Sequence, residues 1–191
     1  AVAPVHLNPK SNYISDSLDL GLERVFGHSS FRTDQKKIVQ VIAEGRRDVF
    51  VIMPTGGGKS LLYQLPAILS KGVTIVIPPL ISLIEDQVST LINMDSGGIP
   101  AAYLNSTCSK KMQDMVYMDL QRAHHGEEPY LKLLYVTPER VVKSDDFGNY
   151  LTELFNNEFL ARFVIDEAHW YDCTSIFFHV FVVYYHIYCE K

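Results

Sequence analysis

A chain of 191 residues with 47% hydrophobic and 20% charged residues is too apolar to be disordered and long enough for one packed domain, alone or with tails. Its net charge of -5 excludes nucleic-acid binding by bulk positive charge, so any such contact must be a local surface. The cysteines Cys108, Cys173 and Cys189 lack paired spacing, which argues against a disulfide framework or zinc site and for a reducing compartment; the longest apolar run, Ile176 to Cys189, is shorter than the roughly 18–20 residues that cross a bilayer and contains His179 and His186.

Residues 1–15 hold Pro and Asn without pattern and are expected to be a loose leader. From Asp16, the spacing of Leu18, Leu22, Val25 and Phe26 predicts a helix that stops at Gly27. Thr33 or Asp34 would cap a second helix running to Gly45, with Ile38, Val41 and Ile42 facing inward. Strand-like runs and helices then alternate. The runs are 48–53, 73–77, 101–104, 132–136 and 161–165. Helices are expected from Lys59, from Ser82 to Met94, from Ser109 to Ala123, and again after the fourth run. Unbroken apolar strands separated by helices predict an α/β fold, with a parallel sheet covered by helices on both faces.

Two stretches carry chemistry. In "MPTGGGKS" (53–60), a glycine loop stands between a strand and a helix. Without Cβ atoms, Gly56, Gly57 and Gly58 let the backbone curl and aim its N–H groups at an anion, and the helix dipole adds to that field. Thr55 lies within the cradle, Lys59 would sit against the β- and γ-phosphates, and the Ser60 hydroxyl would ligate Mg²⁺. Met53 breaks the strict GxxxxGK[ST] pattern while the GxGK[ST] core stays intact. A plain glycine turn is the structural alternative. In "FVIDEAH" (163–169), an apolar strand ends in two carboxylates. Asp166 would hold Mg²⁺ through water, Glu167 would orient or deprotonate the attacking water, and His169 would link this strand to a neighbouring element. A strand ending in solvated acids is the alternative here.

The ordered stretches "FGHSSFRTDQ", "MPTGGGKSLLYQLPA", "PPLISLIEDQV", "LNST", "LKLLYVTPER" and "VIDEAH" resemble the motifs of the RecQ family of ATP-dependent DNA helicases, DEAH-box members of superfamily two, over residues 20–169. The resemblance implies a P-loop NTPase of RecA-like fold, ATP and Mg²⁺, 3′-to-5′ unwinding of single-stranded or forked DNA, and nuclear action without a membrane. It leaves protein partners open. It assigns Phe31, Arg32 and Gln35 to nucleotide-base recognition; an amide both donates and accepts, as adenine reading requires. Without it, Gln35 would read as a solvated helix residue. The loop 78–88, with Leu80, Ser82 and Gln87, is implied to touch phosphates of the single strand, as are Thr137 and Arg140. Read from residues alone, 78–88 is a strand-to-helix loop and 135–140 a helix start with Thr137 as cap, Pro138 in the first turn and Glu139 near the dipole. Ser106 and Thr107 are as well explained by a cap as by a contact.

After DEAH the resemblance stops. The family continues with an aromatic-rich loop containing Gly-His-Asp-Phe-Arg, whereas this chain reads "WYDCTSIFFHVFVVYYHIYCEK". The expected layout is a leader (1–15), an incomplete RecA-like lobe (16–169) and a divergent hydrophobic tail (170–191). The tail has three readings: a substitute strand, an aggregation-prone extension, or a stretch foreign to the native reading frame; the last two are favoured together. The resemblance places ATP between two lobes with an arginine finger on the second, so a single lobe is expected to turn over little. An inactive nucleotide-binding fragment that occupies DNA or a partner, and an RNA-directed relative, are the competing functions.

Overall fold

The computed structural model describes residues 9–54, 56–78, 84–166 and 179–184. Helices α1 (Pro9–Phe26) and α2 (Gln35–Glu44) precede β1 (Val49–Met53), α3 (Lys59–Leu69), β2 (Val73–Ile77), α4 (Ile84–Ile92) and β3 (Ala101–Leu104). Then come α5 (Lys110–Leu120) with a 3₁₀ turn at Gln121–His125, β4 (Leu133–Val136), α6 (Pro138–Lys143), α7 (Asp145–Asn156), β5 (Leu160–Ile165) and β6 (His179–Tyr184).

The strands form one sheet in the order β1-β6-β5-β2-β4-β3. β5, β2, β4 and β3 pair in parallel. β6 pairs antiparallel with both β1 and β5, so β1 and β5 still point the same way. The expected parallel α/β sheet is present, with one reversed strand inside it. That strand comes from the hydrophobic tail: Val182 stands opposite Phe50 on one side and Ile165 on the other.

Helices cover both faces, and the strand pleat divides the core accordingly. Along β4, Leu133 and Tyr135 join a cluster with α1, α2, α3 and α4, including Leu18, Ile42, Leu62 and Val88. Leu134 and Val136 join a second cluster with α5 and α7, including Val116, Leu120, Phe147 and Leu154. All four β4 residues are fully buried, as a strand covered on both faces requires. β1 differs: Val51 is buried, while Phe50 and Ile52 are 62% and 56% exposed.

Several element limits differ from expectation. α1 starts at Pro9, inside the stretch expected to be loose. Pro fits a first helical turn, and Ile14, one turn before Leu18, extends the apolar stripe backwards onto the core. On α2 the inward face is Gln35, Val39 and Ile42, with Ile38 beside them, and Val41 is only half-buried. Spacing of three and four residues from Gln35 selects Val39 over Val41. The helix expected from Ser109 starts one residue later, at Lys110, with Ser109 as its cap accepting from the Met112 N–H, and it ends as a 3₁₀ turn. Two helices, α6 and α7, follow β4. The start of the helix expected from Ser82 falls outside the described residues.

Candidate functional site

β1 delivers the chain to the glycine loop, and α3 leaves it at Lys59. Gly56 and Gly58 adopt φ of 75° and 80°, the left-handed region that disfavours a side chain. A Cβ on Gly58 would also collide with the Gln35 amide nitrogen. Lys59 and Ser60 occupy the first turn of α3, both half-buried. The first-turn N–H groups of a helix have no intrahelical acceptor, so this end is suited to an anion.

The residues assigned to base recognition meet this loop from the other side. The Arg32 guanidinium donates to the Gly56 carbonyl at 2.6 Å. The Gln35 side-chain amide donates to the carbonyls of Gly57 and Gly58 at 3.2 and 3.3 Å, and its oxygen accepts from the Arg32 N–H at 2.8 Å. Gln35 is 3% exposed, so it is no solvated helix residue. Phe31 packs on the α1–α4 core. The α2 cap is Asp34, in a left-handed conformation (φ 62°) without a capping side-chain hydrogen bond; its carboxylate instead lies 3.7 Å from Lys37.

Asp166 follows the last residue of β5, where its N–H donates to the Ile77 carbonyl at 3.0 Å. It is 8% exposed. Tyr63, one turn after Ser60 on α3, is completely buried. Burial, then the neighbouring Tyr135 and the Asp166 charge, push the Tyr63 phenol well above its ordinary value. Thr55, Glu167 and His169 lie outside the described residues.

Those of the second group of expected residues that are described sit at the same carboxyl ends of the strands. Leu80 and Ser82 lie outside the described residues. Gln87, on α4, has a buried side-chain oxygen with no hydrogen-bond partner among the described residues. Thr137 is 6% exposed and precedes α6, as expected of a cap, but only its carbonyl takes part, accepting from the N–H groups of Arg140 and Val141. Arg140 donates to the Gln113 side chain at 2.6 Å and lies over the Tyr117 ring, which ties α6 to α5; its Nε is buried and unpartnered among the described residues.

Asn105, which the sequence reading passed over, organises the loop after β3. Its oxygen accepts from the N–H and hydroxyl of Thr107 and from the Cys108 N–H, at 2.8 to 3.0 Å, leaving its own N–H₂ buried and unpartnered among the described residues. An Asn directly after a strand and before Ser-Thr is a side-chain-made turn signal. So Ser106 and Thr107 are turn residues, and the α5 cap is Ser109. Burial raises the Cys108 thiol above its ordinary value. Among the described residues no cluster of metal-ligating side chains and no helix long and apolar enough to cross a membrane occurs.

A family model described as DEAD/DEAH box helicase matches residues 32–176. The chain is 46% identical over 165 residues to "ATP-dependent DNA helicase Q-like 4B" of Arabidopsis thaliana, covering 86% of this chain and 13% of that protein. It is 46% identical over 156 residues to "RecQ-like DNA helicase BLM" of Xenopus laevis, covering 82% and 11%. It is 48% identical over 157 residues to "ATP-dependent DNA helicase Q-like 2" of Arabidopsis thaliana, covering 82% and 21%. The chain thus spans between 11% and 21% of the length of these relatives. With a strand, a glycine loop and a helix start arranged as described and a family match across most of its length, the chain belongs to the DEAD/DEAH box helicase family.

Proposed function

We propose that this chain is the nucleotide-binding motor lobe of a RecQ-like, ATP-dependent DNA helicase. The observation that carries the proposal is the tie between Arg32, Gln35 and the carbonyls of Gly56, Gly57 and Gly58, which fixes the shape of the loop directly before the first turn of α3. ATP is the substrate. Its phosphates would lie against the loop and the first turn of α3, with the Lys59 ammonium on the β- and γ-phosphates and Thr55 at the loop's entrance. Phe31, Arg32 and Gln35 would flank the base. For Gln35 that requires its amide to turn partly from the loop carbonyls to the adenine edge.

The donor set suits Mg²⁺, a hard cation that takes oxygen ligands: a hydroxyl from Ser60 and a mostly buried carboxylate from Asp166. When bound, that cation neutralises charge on the phosphates. Glu167 would orient or deprotonate the attacking water, and His169 would connect the strand end to its neighbours.

Single-stranded DNA would lie across the carboxyl ends of β2 and β4, touching Leu80, Ser82, Gln87, Thr137 and Arg140. Backbone N–H groups at helix starts can hold phosphates there without a basic surface, which suits a net charge of -5. Unwinding in the 3′-to-5′ direction and action in the nucleus belong to the same reading, and likeness to RecQ-like helicases is what supports them.

The test is equilibrium binding of a fluorescent ATP analogue with Mg²⁺. The wild-type chain should bind, and Lys59→Ala should abolish binding while leaving the thermal unfolding midpoint within a few degrees. Equal binding by both proteins sinks the assignment.

A further inference from the structure

A run of hydrogen bonds crosses the carboxyl ends of β3 and β4 and joins the starts of three helices. The Thr107 hydroxyl donates to the Asn105 side-chain oxygen at 2.8 Å and lies 3.3 Å from the Glu85 carboxylate in the first turn of α4. The same Asn105 oxygen accepts from the Cys108 N–H, and the Cys108 carbonyl accepts from the Gln113 side-chain N–H at 3.0 Å. The Gln113 oxygen in turn accepts from Arg140 on α6 at 2.6 Å. This sets the Gln113 orientation, because a flipped amide would turn its oxygen to the Cys108 carbonyl and its N–H₂ to the guanidinium. Tyr117, one turn after Gln113 on α5, has its ring centre 5.9 Å from the guanidinium carbon. Arg140 is thus held by an acceptor and a ring on one face of α5. Among the described side chains it forms no ion pair. A carboxylate at position 113 would offset the Arg140 charge; a neutral amide orients the guanidinium and leaves its charge for another anion.

We propose that Gln113 is a positioning residue for nucleic-acid binding: its amide oxygen aims the Arg140 guanidinium at a phosphate of the single strand, and Cys108 and Asn105 hold Gln113 in that orientation. This rests on the reading, given above, that Arg140 touches single-stranded DNA. Gln113 itself touches no nucleic acid; it acts through Arg140.

The experiment follows the anisotropy of a fluorescein-labelled oligothymidylate as the full chain is added, over a series of KCl concentrations. It compares wild type, Arg140→Ala, Gln113→Leu and the double variant, each checked for folding by its urea midpoint. Arg140→Ala should weaken binding about three- to tenfold and flatten the plot of log Kd against log salt by about 0.7, the share of one phosphate on a single strand. Gln113→Leu should weaken binding and flatten the same plot, and adding it to Arg140→Ala should change neither quantity further. A tie that merely fastens α6 to α5 would lower the urea midpoint of Gln113→Leu and leave its salt slope at the wild-type value. That result overturns the proposal, as does an additive loss in the double variant. If Gln113→Leu does not fold, Gln113→Glu decides: a carboxylate against Arg140 should weaken binding and flatten the slope, and wild-type affinity in this variant refutes the proposal. Undiminished binding by Arg140→Ala, or no binding by the wild-type chain, takes down the DNA-contact reading as well.

Discussion

Gln35 shows how much one side chain can organise. Its amide donates to two loop carbonyls and accepts from the chain three residues before it, so α2 and the glycine loop share one set of hydrogen bonds. A loop of small residues is otherwise entropically expensive to hold in one shape. Gly58 is the tightest point of that arrangement. Its φ of 80° is unfavourable for any side chain, and a Cβ there meets the Gln35 amide. Gly58→Ala should therefore lower stability by about 1–2 kcal/mol and weaken ATP-analogue binding by at least tenfold. Urea unfolding and equilibrium binding on the same sample check this. Gly27, whose added Cβ would meet no atom within 4 Å, serves as the comparison for backbone strain alone.

Among the elements, β6 changes the account of the tail most. It lies between β1 and β5, joining the strand that leads into the glycine loop to the strand that ends at Asp166. The two halves of the candidate nucleotide site are therefore held in register through backbone hydrogen bonds supplied from residues 179–184. Of the three readings of the tail, the substitute strand is the one this arrangement matches. A strand with partners on both sides has no free N–H to spare, so a proline within it removes a ladder bond. Val182→Pro should destabilise the chain by about 3 kcal/mol or more. Hydrogen exchange should show lost amide protection in both β1 and β5; unaltered protection there would mean β6 does not bridge them in solution.

At the scale of the whole molecule the two ends of the sheet do different work. The candidate site and the loops around it occupy the carboxyl ends of the strands. At the amino ends, Glu128 accepts from the Gly72 N–H at 2.8 Å and from Lys132 at 2.7 Å, and Lys132 also donates to the Ser70 carbonyl. These contacts join the end of α3 to the starts of β2 and β4. The Lys132 hydrogen bond, followed by the Gly72 N–H, holds the Glu128 carboxyl below its ordinary value of 4.5. A carboxyl depressed on folding adds stability that is present above 4.5 and is lost as the pH falls through the folded value. Glu128→Gln should therefore flatten the loss of stability as the pH falls below 4.5, read from urea midpoints at a series of acid pH values. ATP-analogue binding at neutral pH should not change, because the pair lies at the opposite end of the sheet.

The sequence by itself determined the architecture and pointed to the glycine loop and the strand end of the candidate nucleotide site. Apolar runs of strand length between helical spacings imply a covered parallel sheet, and three consecutive glycines before Lys-Ser have few uses at a strand-to-helix junction. Those signals are local, and local signals survive without neighbours. Tertiary structure decided what depends on contact between distant segments. Gln35 looks like a surface polar residue until the glycine loop folds against it. Asn105 and Arg140 acquire their roles only through Thr107, Cys108 and Gln113. The tail was read as an extension because β propensity states that a segment can pair, never with what. Its place between β1 and β5 is a property of the assembled sheet, since backbone hydrogen bonding carries no sequence label.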